Sequence, residues 1–414
     1  MSTRRDFIKA STLLGFGGTV PTFLGRTALA AEPLGKSDKD TILVVVQLTG
    51  GNDGLNTVVP YANEQYYKLR PTIAIPKNQV RKLNDSLGLH PAMDAMAKLH
   101  ADDAALCVVQ GVGYPNPSQS HFRSMDIWQA ASTDETLTEG WLGKGLKQKP
   151  LATFHLAASA NEVAPLALAG APARAPSITS LEDFQLKTTA ASGKDQAAQK
   201  SIITSAATSG RGGSAANPLL DFVSRTATNT YASSERLKQI GKGYTPKVPY
   251  PETGLGNRLK LAAQLIEAGV GARIFYVSLD GFDTHAGQGA ATGAHANLLR
   301  QVSDAIAAFY KDLAGRGHGN RVCVMTFSEF GRRGGENGSK GTDHGSGAPM
   351  FLVGGKVKPG IVGDNPNLAK LEKGNLPFAT DFRGVYAAVL EKWLGLDAKS
   401  VLGAEFKPAD VFKS

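Results

Sequence analysis

The chain has 414 residues, 42% of them hydrophobic and 20% charged, with a net charge of +9 and two cysteines. That length suits one large α/β domain or two smaller ones with an ample core, and 47 glycines indicate many turns. No basic run with interleaved aromatics supports nucleic-acid binding, and the spacing of the two cysteines offers no zinc motif.

The N-terminus, "STRRDFIKASTLLGFGGTVPTFLGRTALAAE", pairs Arg4 with Arg5 ahead of a weakly apolar run. A small-residue site, Ala28-Leu29-Ala30, follows. This is the layout of a signal peptide over residues 1–30, and the arginine pair points to the twin-arginine export machinery. A periplasmic or secreted location is therefore expected. Arg4, Arg5, Lys9 and Arg26 against Asp6 give the leader +3, so its removal takes the net charge from +9 to +6. Mild attraction for anionic substrates is all that this charge allows. No later segment is long and apolar enough to span a membrane.

Beyond the leader, "TILVVVQLTGG" at 41–51 is a continuous apolar run closed by glycines, the pattern of a strand covered on both faces. The runs at 104–113, 272–281, 321–328 and 349–355 have the same character. Cys107 and Cys323 sit inside two of them, as small buried hydrophobes unless their strands adjoin and the thiols pair. Helical patterns lie between, at 91–101, 257–269 and 293–314, and a last one covers 381–394. Strands alternating with helices predict a doubly wound, mostly parallel α/β sheet with helices on both faces. Residues 31–414 read as one such domain. The Ala/Ser/Thr/Gly-rich stretch around 188–218 reads as part of a surface insertion over about 185–250.

In such sheets ligands bind beyond the carboxyl ends of the strands. After the first run come Asn52, Asp53 and Asn56 on a glycine-rich turn. After the second come Ser118, Ser120 and His121, ahead of a helix. The third ends in "LDGFDTH", with Asp283 and His285. The fourth runs into "TFSEFGRRGGENGSKGTDHG", which carries Glu329, Arg332, Arg333, Asn337, Asp343 and His344. Singly, each cluster suits a turn or a helix cap. Together they bring hard and borderline metal ligands to one sheet edge without any cysteine, which favours Zn, Mn, Mg or Ca. One or two divalent ions there can flank an oxyanion and activate an alkoxide. A serine at a helix start can hold the anion against free backbone N–H groups, and Arg332 or Arg333 can contact a phosphate or sulfate.

These motifs, "LTGGNDGLNTVVPY", "PSQSHFRSMDIWQ", "LDGFDTH" and "TFSEFGRR…N…GTDHG", resemble those of an exported bacterial family known as domain of unknown function 1501. That family is in turn similar to the alkaline phosphatase and sulfatase superfamily. The resemblance implies an alkaline-phosphatase-like fold and hydrolysis of a small or polymeric anionic ester. It implies Ser120 or Ser118 as nucleophile, and Asp53, Asp283, His285, Glu329 and His344 as metal ligands. Arg332 and Arg333 would orient the anion, while Asn52, Asn56, His121, Asn337 and Asp343 would complete the polar surroundings. Phe330 stands where the superfamily has a ligand histidine. A non-catalytic exported protein, binding an anionic glycan or cell-envelope partner on the same scaffold, is the alternative.

Overall fold

The structure, a computed structural model, describes residues 40–170, 175–181 and 243–413. The expected leader at 1–30 and residues 185–242 of the expected insertion lie outside them. Contacts divide the chain into two units. The larger comprises Gly35–Ser177, Pro246–Ala263 and Arg273–Ser414. Within the other, Gln264–Ala272 carries the end of a helix and a turn in which Gly269 and Gly271 take positive φ.

The first strand, β1 (Ile42–Leu48), is buried along its whole length, as its unbroken apolar run requires. A small antiparallel sheet of β2 (Val58–Val59), β3 (Arg81–Lys82) and β4 (Gly88–Leu89) follows. Next come β5 (Leu106–Gly113), β6 (Ala152–Leu156) and the two-residue β7 (Ser177–Ile178). The last five are β8 (Ala272–Leu279), β9 (Val322–Phe327), β10 (Ala348–Val353), β11 (Gly360–Val362) and β12 (Thr380–Asp381). Among the described residues the main sheet has nine strands, ordered β11-β5-β10-β9-β1-β8-β6-β7, with β12 alongside β5.

Pairing directions set where the site can be. β1 runs parallel to β8 and β9, while β10 is antiparallel to both β9 and β5. It follows that β1, β5, β8 and β9 all point the same way. Their carboxyl ends share one edge of a mixed, mostly parallel sheet. Since β10 starts at that edge, residues 328–347 leave and return on the same side.

Among the described residues, two short helices at Gly54–Thr57 and Glu64–Leu69 are followed by α1 (Asp94–Ala101), α2 (His121–Ala130), α3 (Trp141–Gln148), α4 (Gly254–Glu267), α5 (Ala294–Ala314), α6 (Phe382–Ala388) and α7 (Ala398–Leu402). A π-turn at Val389–Leu394 continues α6, so the expected helix at 381–394 is present but changes pitch. One sheet face, with Leu43, Val45, Met325 and Met350, packs against Trp128 of α2, Trp141 of α3 and Tyr386 of α6. α1 contacts β5 and α5 contacts β9, covering strand residues that a one-sided sheet would expose. The helices thus lie on both faces. Cys107 and Cys323 are buried free thiols on β5 and β9, separated by β10. Burial pushes the Cys107 thiol up to about 12, as expected of a small core hydrophobe. No helix among the described residues is long and apolar enough to cross a membrane.

Candidate metal centre

Three strand ends and one helix start meet at Asp283. Its Oδ1 lies 3.2 Å from Nε2 of His285 and 3.3 Å from Nε2 of His344. Its Oδ2 lies 3.5 Å from Nε2 of His121. Among the described residues, His121, Asp283 and His344 form the group able to hold a metal ion, one ligand atom of each lying within 4.8 Å of the others. His285 adds a fourth donor, its Nε2 only 2.8 Å from that of His344. Two ring nitrogens that close need a shared proton or a shared cation between them.

The rings are oriented by what lies behind them. Nδ1 of His121 is 2.8 Å from Oε1 of Glu329, and Nδ1 of His344 is 2.8 Å from the Gln119 carbonyl. A carbonyl can only accept, and so can an ionised carboxylate, so both Nδ1 atoms carry the proton and both Nε2 lone pairs face Asp283. Nδ1 of His285 faces Oδ1 of Asp343 at 3.5 Å. Three imidazoles and one carboxylate, each ring backed by an acceptor, suit a borderline divalent ion such as zinc or manganese. They suit magnesium or calcium less well, because those ions prefer all-oxygen sites.

Local sequence builds this arrangement. His121, Ser124 and Trp128 recur at i, i+3 and i+7 on α2, one face of the helix. Trp128 stacks on Phe382 at 4.3 Å, and the Ser124 hydroxyl donates to the Glu329 carbonyl at 2.5 Å. That face is therefore fixed against the end of β9. His344 returns to the same place through a bridge pairing Arg332 with His344. Gly345 is required there, since a Cβ would sit 2.4 Å from the Arg332 carbonyl carbon. Phe330 is 1% exposed, and its ring lies 4.9 Å from His121 and 4.7 Å from His344. The phenyl ring packs against both imidazoles as the wall of the cluster.

Charge at Asp283 is set by competition. Burial pushes its carboxyl up, but the Arg332 guanidinium at 2.6 Å holds it below the usual carboxylate range. Burial lowers His344, favouring the neutral imidazole that a metal requires, although the Gln119 carbonyl works the other way. The Asn337 amide, with Arg333 and His285, holds Asp343 down against its partial desolvation.

The other residues singled out in the sequence fall into distinct places. Glu329 is fully buried and accepts the Gly50 N–H at 2.8 Å. It stands behind His121. Asp53 is also fully buried, but its Oδ2 meets Arg70 at 2.5 Å and Gln288 at 2.6 Å. Arg70 overcomes the burial of that carboxyl and lowers it. Asn56 accepts from Arg70 and Tyr66, and Asn52 lies against His295 and Thr57, so all three turn residues belong to an interior polar network. Arg332 is 1% exposed and donates to the carbonyls of Gly50, Gly51, Thr342 and Phe282 as well as to Asp283. It is a strut beneath the cluster. Arg333 is exposed, with Asp343 at 3.8 Å, and can swing toward an anion. Asn337 ties the His285 carbonyl to Asp343.

The serines differ. Ser118 accepts the Ser120 N–H at 3.3 Å. Ser120 is the N-cap of α2 yet its exposed side chain makes no capping bond. Its neighbours on either side, Gln119 and His121, both hold the cluster. Sequence reasoning had no sign of Arg70, Gln119 or Gln288, and placed His121 only among the surrounding polar groups. The i, i+3, i+7 spacing with Ser124 and Trp128 was the available signal for it.

A family model described as "Protein of unknown function (DUF1501)" matches residues 40–402. A sequence search of curated proteins finds no match. Among solved structures, the chain is similar to the PsFucS1 sulfatase from Pseudoalteromonas sp., at 13% identity and a TM-score of 0.34, over 98% of this chain and 72% of that one. It is also similar to the lipoteichoic acid synthase LtaP from Listeria monocytogenes, at 11% identity and a TM-score of 0.28, over 87% of this chain and 80% of that one. With TM-scores this low, the α/β fold class rests on the strand order itself.

Proposed function

The chain belongs to the DUF1501 family of proteins of unknown function, and from its site we propose an exported, metal-dependent hydrolase of phosphate or sulfate esters. The observation that carries this reading is the convergence of three imidazole Nε2 atoms on Asp283, with the rings of His121 and His344 locked from behind by Glu329 and Gln119. Histidine rings held this way are prepared as ligands, and a structural role alone does not call for two facing ring nitrogens at 2.8 Å.

In this reading His121, Asp283, His285 and His344 hold the ion. When bound, the ion polarises the ester oxygen and stabilises developing negative charge. Ser120, exposed at the helix start, is the nucleophile: its Oγ bonds to phosphorus or sulfur, and the alcohol oxygen departs with a proton. Water then hydrolyses the serine ester and restores the hydroxyl. Arg333 steers the anion, while Arg332 keeps the Gly50–Gly51 turn and Asp283 in place. The paired arginines of the leader suggest twin-arginine export to the periplasm, or secretion.

Elemental analysis of the mature protein from metal-replete medium tests the reading. About one ion per chain is expected, lost in His121→Ala, Asp283→Ala and His344→Ala. Wild-type protein should also turn over aryl phosphate or aryl sulfate esters. A metal-free wild type would overturn the proposal. Phe330 favours a second reading, a non-catalytic binding protein for an anionic glycan or envelope partner, because its ring takes the place of a further ligand. Metal content without turnover of either ester would select that reading.

A further inference from the structure

A second chain of hydrogen-bonded side chains lies apart from the histidine cluster, where β6 meets β7 at the end of the main sheet. The His155 N–H donates to the Pro176 carbonyl at 3.0 Å, which sets Ser177 beside the imidazole of His155. Nδ1 of His155 is 2.8 Å from the Ser177 hydroxyl, and its Nε2 is 3.3 Å from Oε1 of Glu162. A carboxylate accepts and cannot donate, so Nε2 carries the proton and the Nδ1 lone pair faces the hydroxyl. The carboxylate is itself held in place. Its Oε2 accepts the Ala158 N–H at 2.5 Å, and the Ser278 hydroxyl lies 3.4 Å from its Oε1. His155 is 1% exposed, whereas Ser177 is exposed. Burial lowers the imidazole, with Glu162 opposing, and so favours the neutral ring that a base must be.

A hydroxyl on an exposed residue, a buried imidazole with its lone pair on that hydroxyl, and a carboxylate behind the imidazole are the parts of an activated serine. Such a constellation is recognised by geometry and roles, not by order in the chain. His155 and Glu162 offer too few ligands for a metal ion, and the third member is a hydroxyl. We propose that Ser177, His155 and Glu162 form a second nucleophilic site, which transfers the acyl group of a neutral carboxylic ester to water. Ser177 Oγ bonds to the acyl carbon while its proton passes to Nδ1 of His155. The ester C–O bond then breaks, and the departing alkoxide takes that proton. Water adds to the acyl-serine by the same route, releasing the carboxylic acid and restoring Ser177 and His155. Glu162 is a positioning residue that keeps the other proton on Nε2. Anionic esters are disfavoured, because Glu162 and Asp280 both lie close enough to act on Arg258. That guanidinium is 8% exposed and already donates to the carbonyls of Gly254 and Ser278. The site shares no residue with the histidine cluster and does not depend on the hydrolase reading.

A neutral alkyl fluorophosphonate, which traps base-activated serines with loss of fluoride, tests the site on the full chain by peptide mass mapping. The wild type is expected to carry the adduct on Ser177, in a peptide separate from that of Ser120. His155→Gln should slow its formation about 100-fold or more. Glu162→Gln keeps an acceptor for the Ala158 N–H but removes the charge behind the imidazole. It should slow the reaction about tenfold or more at an unchanged urea midpoint. If His155→Gln does not melt cooperatively, unfolding the wild type in urea gives the same comparison, since Ser177 parted from its base should lose its reactivity. p-Nitrophenyl acetate should acylate Ser177, and a carboxylate added to the same ring should slow that step about fivefold. A wild type without an adduct on Ser177 would overturn the proposal. So would labelling at an unchanged rate in His155→Gln and Glu162→Gln, or faster acylation by the carboxylated ester.

Discussion

Nδ1 of His121 stands 2.8 Å from Oε1 of Glu329, so a fully buried carboxylate decides which nitrogen of a partly exposed histidine faces the cluster. Glu329 in turn is fixed by the Gly50 N–H and by the Ser328 hydroxyl. The ends of β1 and β9 and the start of α2 are thereby tied together through one side chain.

The relationship gives Glu329 a role that can be measured without turnover. Glu329→Gln preserves shape and a carbonyl acceptor but removes the charge behind the imidazole. Outer partners of this kind are worth about 10–100-fold in metal affinity. Competition titration with a chromophoric chelator should show a loss in that range while the folded structure persists. Unchanged affinity would mean that His121 is not a ligand.

The adjacent arginines should separate cleanly in urea unfolding. Arg332 is buried among four carbonyls and Asp283. Arg332→Met leaves those acceptors without a donor and should cost about 3 kcal/mol or more. Arg333 is exposed, so Arg333→Met should change stability by no more than about 0.5 kcal/mol and instead weaken anion binding.

Ser120 and Ser118 are distinguished by pairing stability with turnover. The Ser120 side chain makes no capping bond, so Ser120→Ala should cost less than the roughly 1 kcal/mol of a lost cap. The same change should abolish ester hydrolysis. Ser118→Ala should retain most activity. Full activity in Ser120→Ala would assign the attack to water or to another group.

Acid should destabilise the fold through His295. Its ring is fully buried, and that burial depresses it to about 4 from 6.5, with Asp53 opposing the shift. Between those values the unfolded chain binds the proton and the folded chain does not. The stabilising contribution is therefore complete above the unfolded value of about 6.5 and disappears as the pH falls toward 4. Going from pH 7 to pH 5 should remove about 2 kcal/mol by this route. Urea midpoints for wild type and His295→Gln test it, since the variant keeps a donor for Asn52 but cannot titrate. An equal pH dependence in the two proteins would rule His295 out.

Much of the fold was legible in the sequence because both-face burial leaves unbroken apolar runs, as at β1, β5, β8, β9 and β10. β6 escaped notice, since "ATFHL" is short and half polar. The orientation of β10 was not legible either, for a buried strand reads the same in both directions. Asp283 and His285 stood out by lying together at the end of β8. His344 lies 59 residues from His285 in sequence, and only the return of the 328–347 segment to its own edge closes that separation.

The sequence by itself determined which residues gather at the carboxyl edge, because strand direction carries every loop after a parallel strand to the same side. It could not determine which of those polar groups face outward to a ligand and which are consumed inside. That choice was made in the tertiary structure, by partners remote in the chain. Arg70 and Gln288 take up Asp53, Gly50 and His121 take up Glu329, and four backbone carbonyls take up Arg332. Most buried polar groups take a partner, and chain order does not reveal which partner packing will bring.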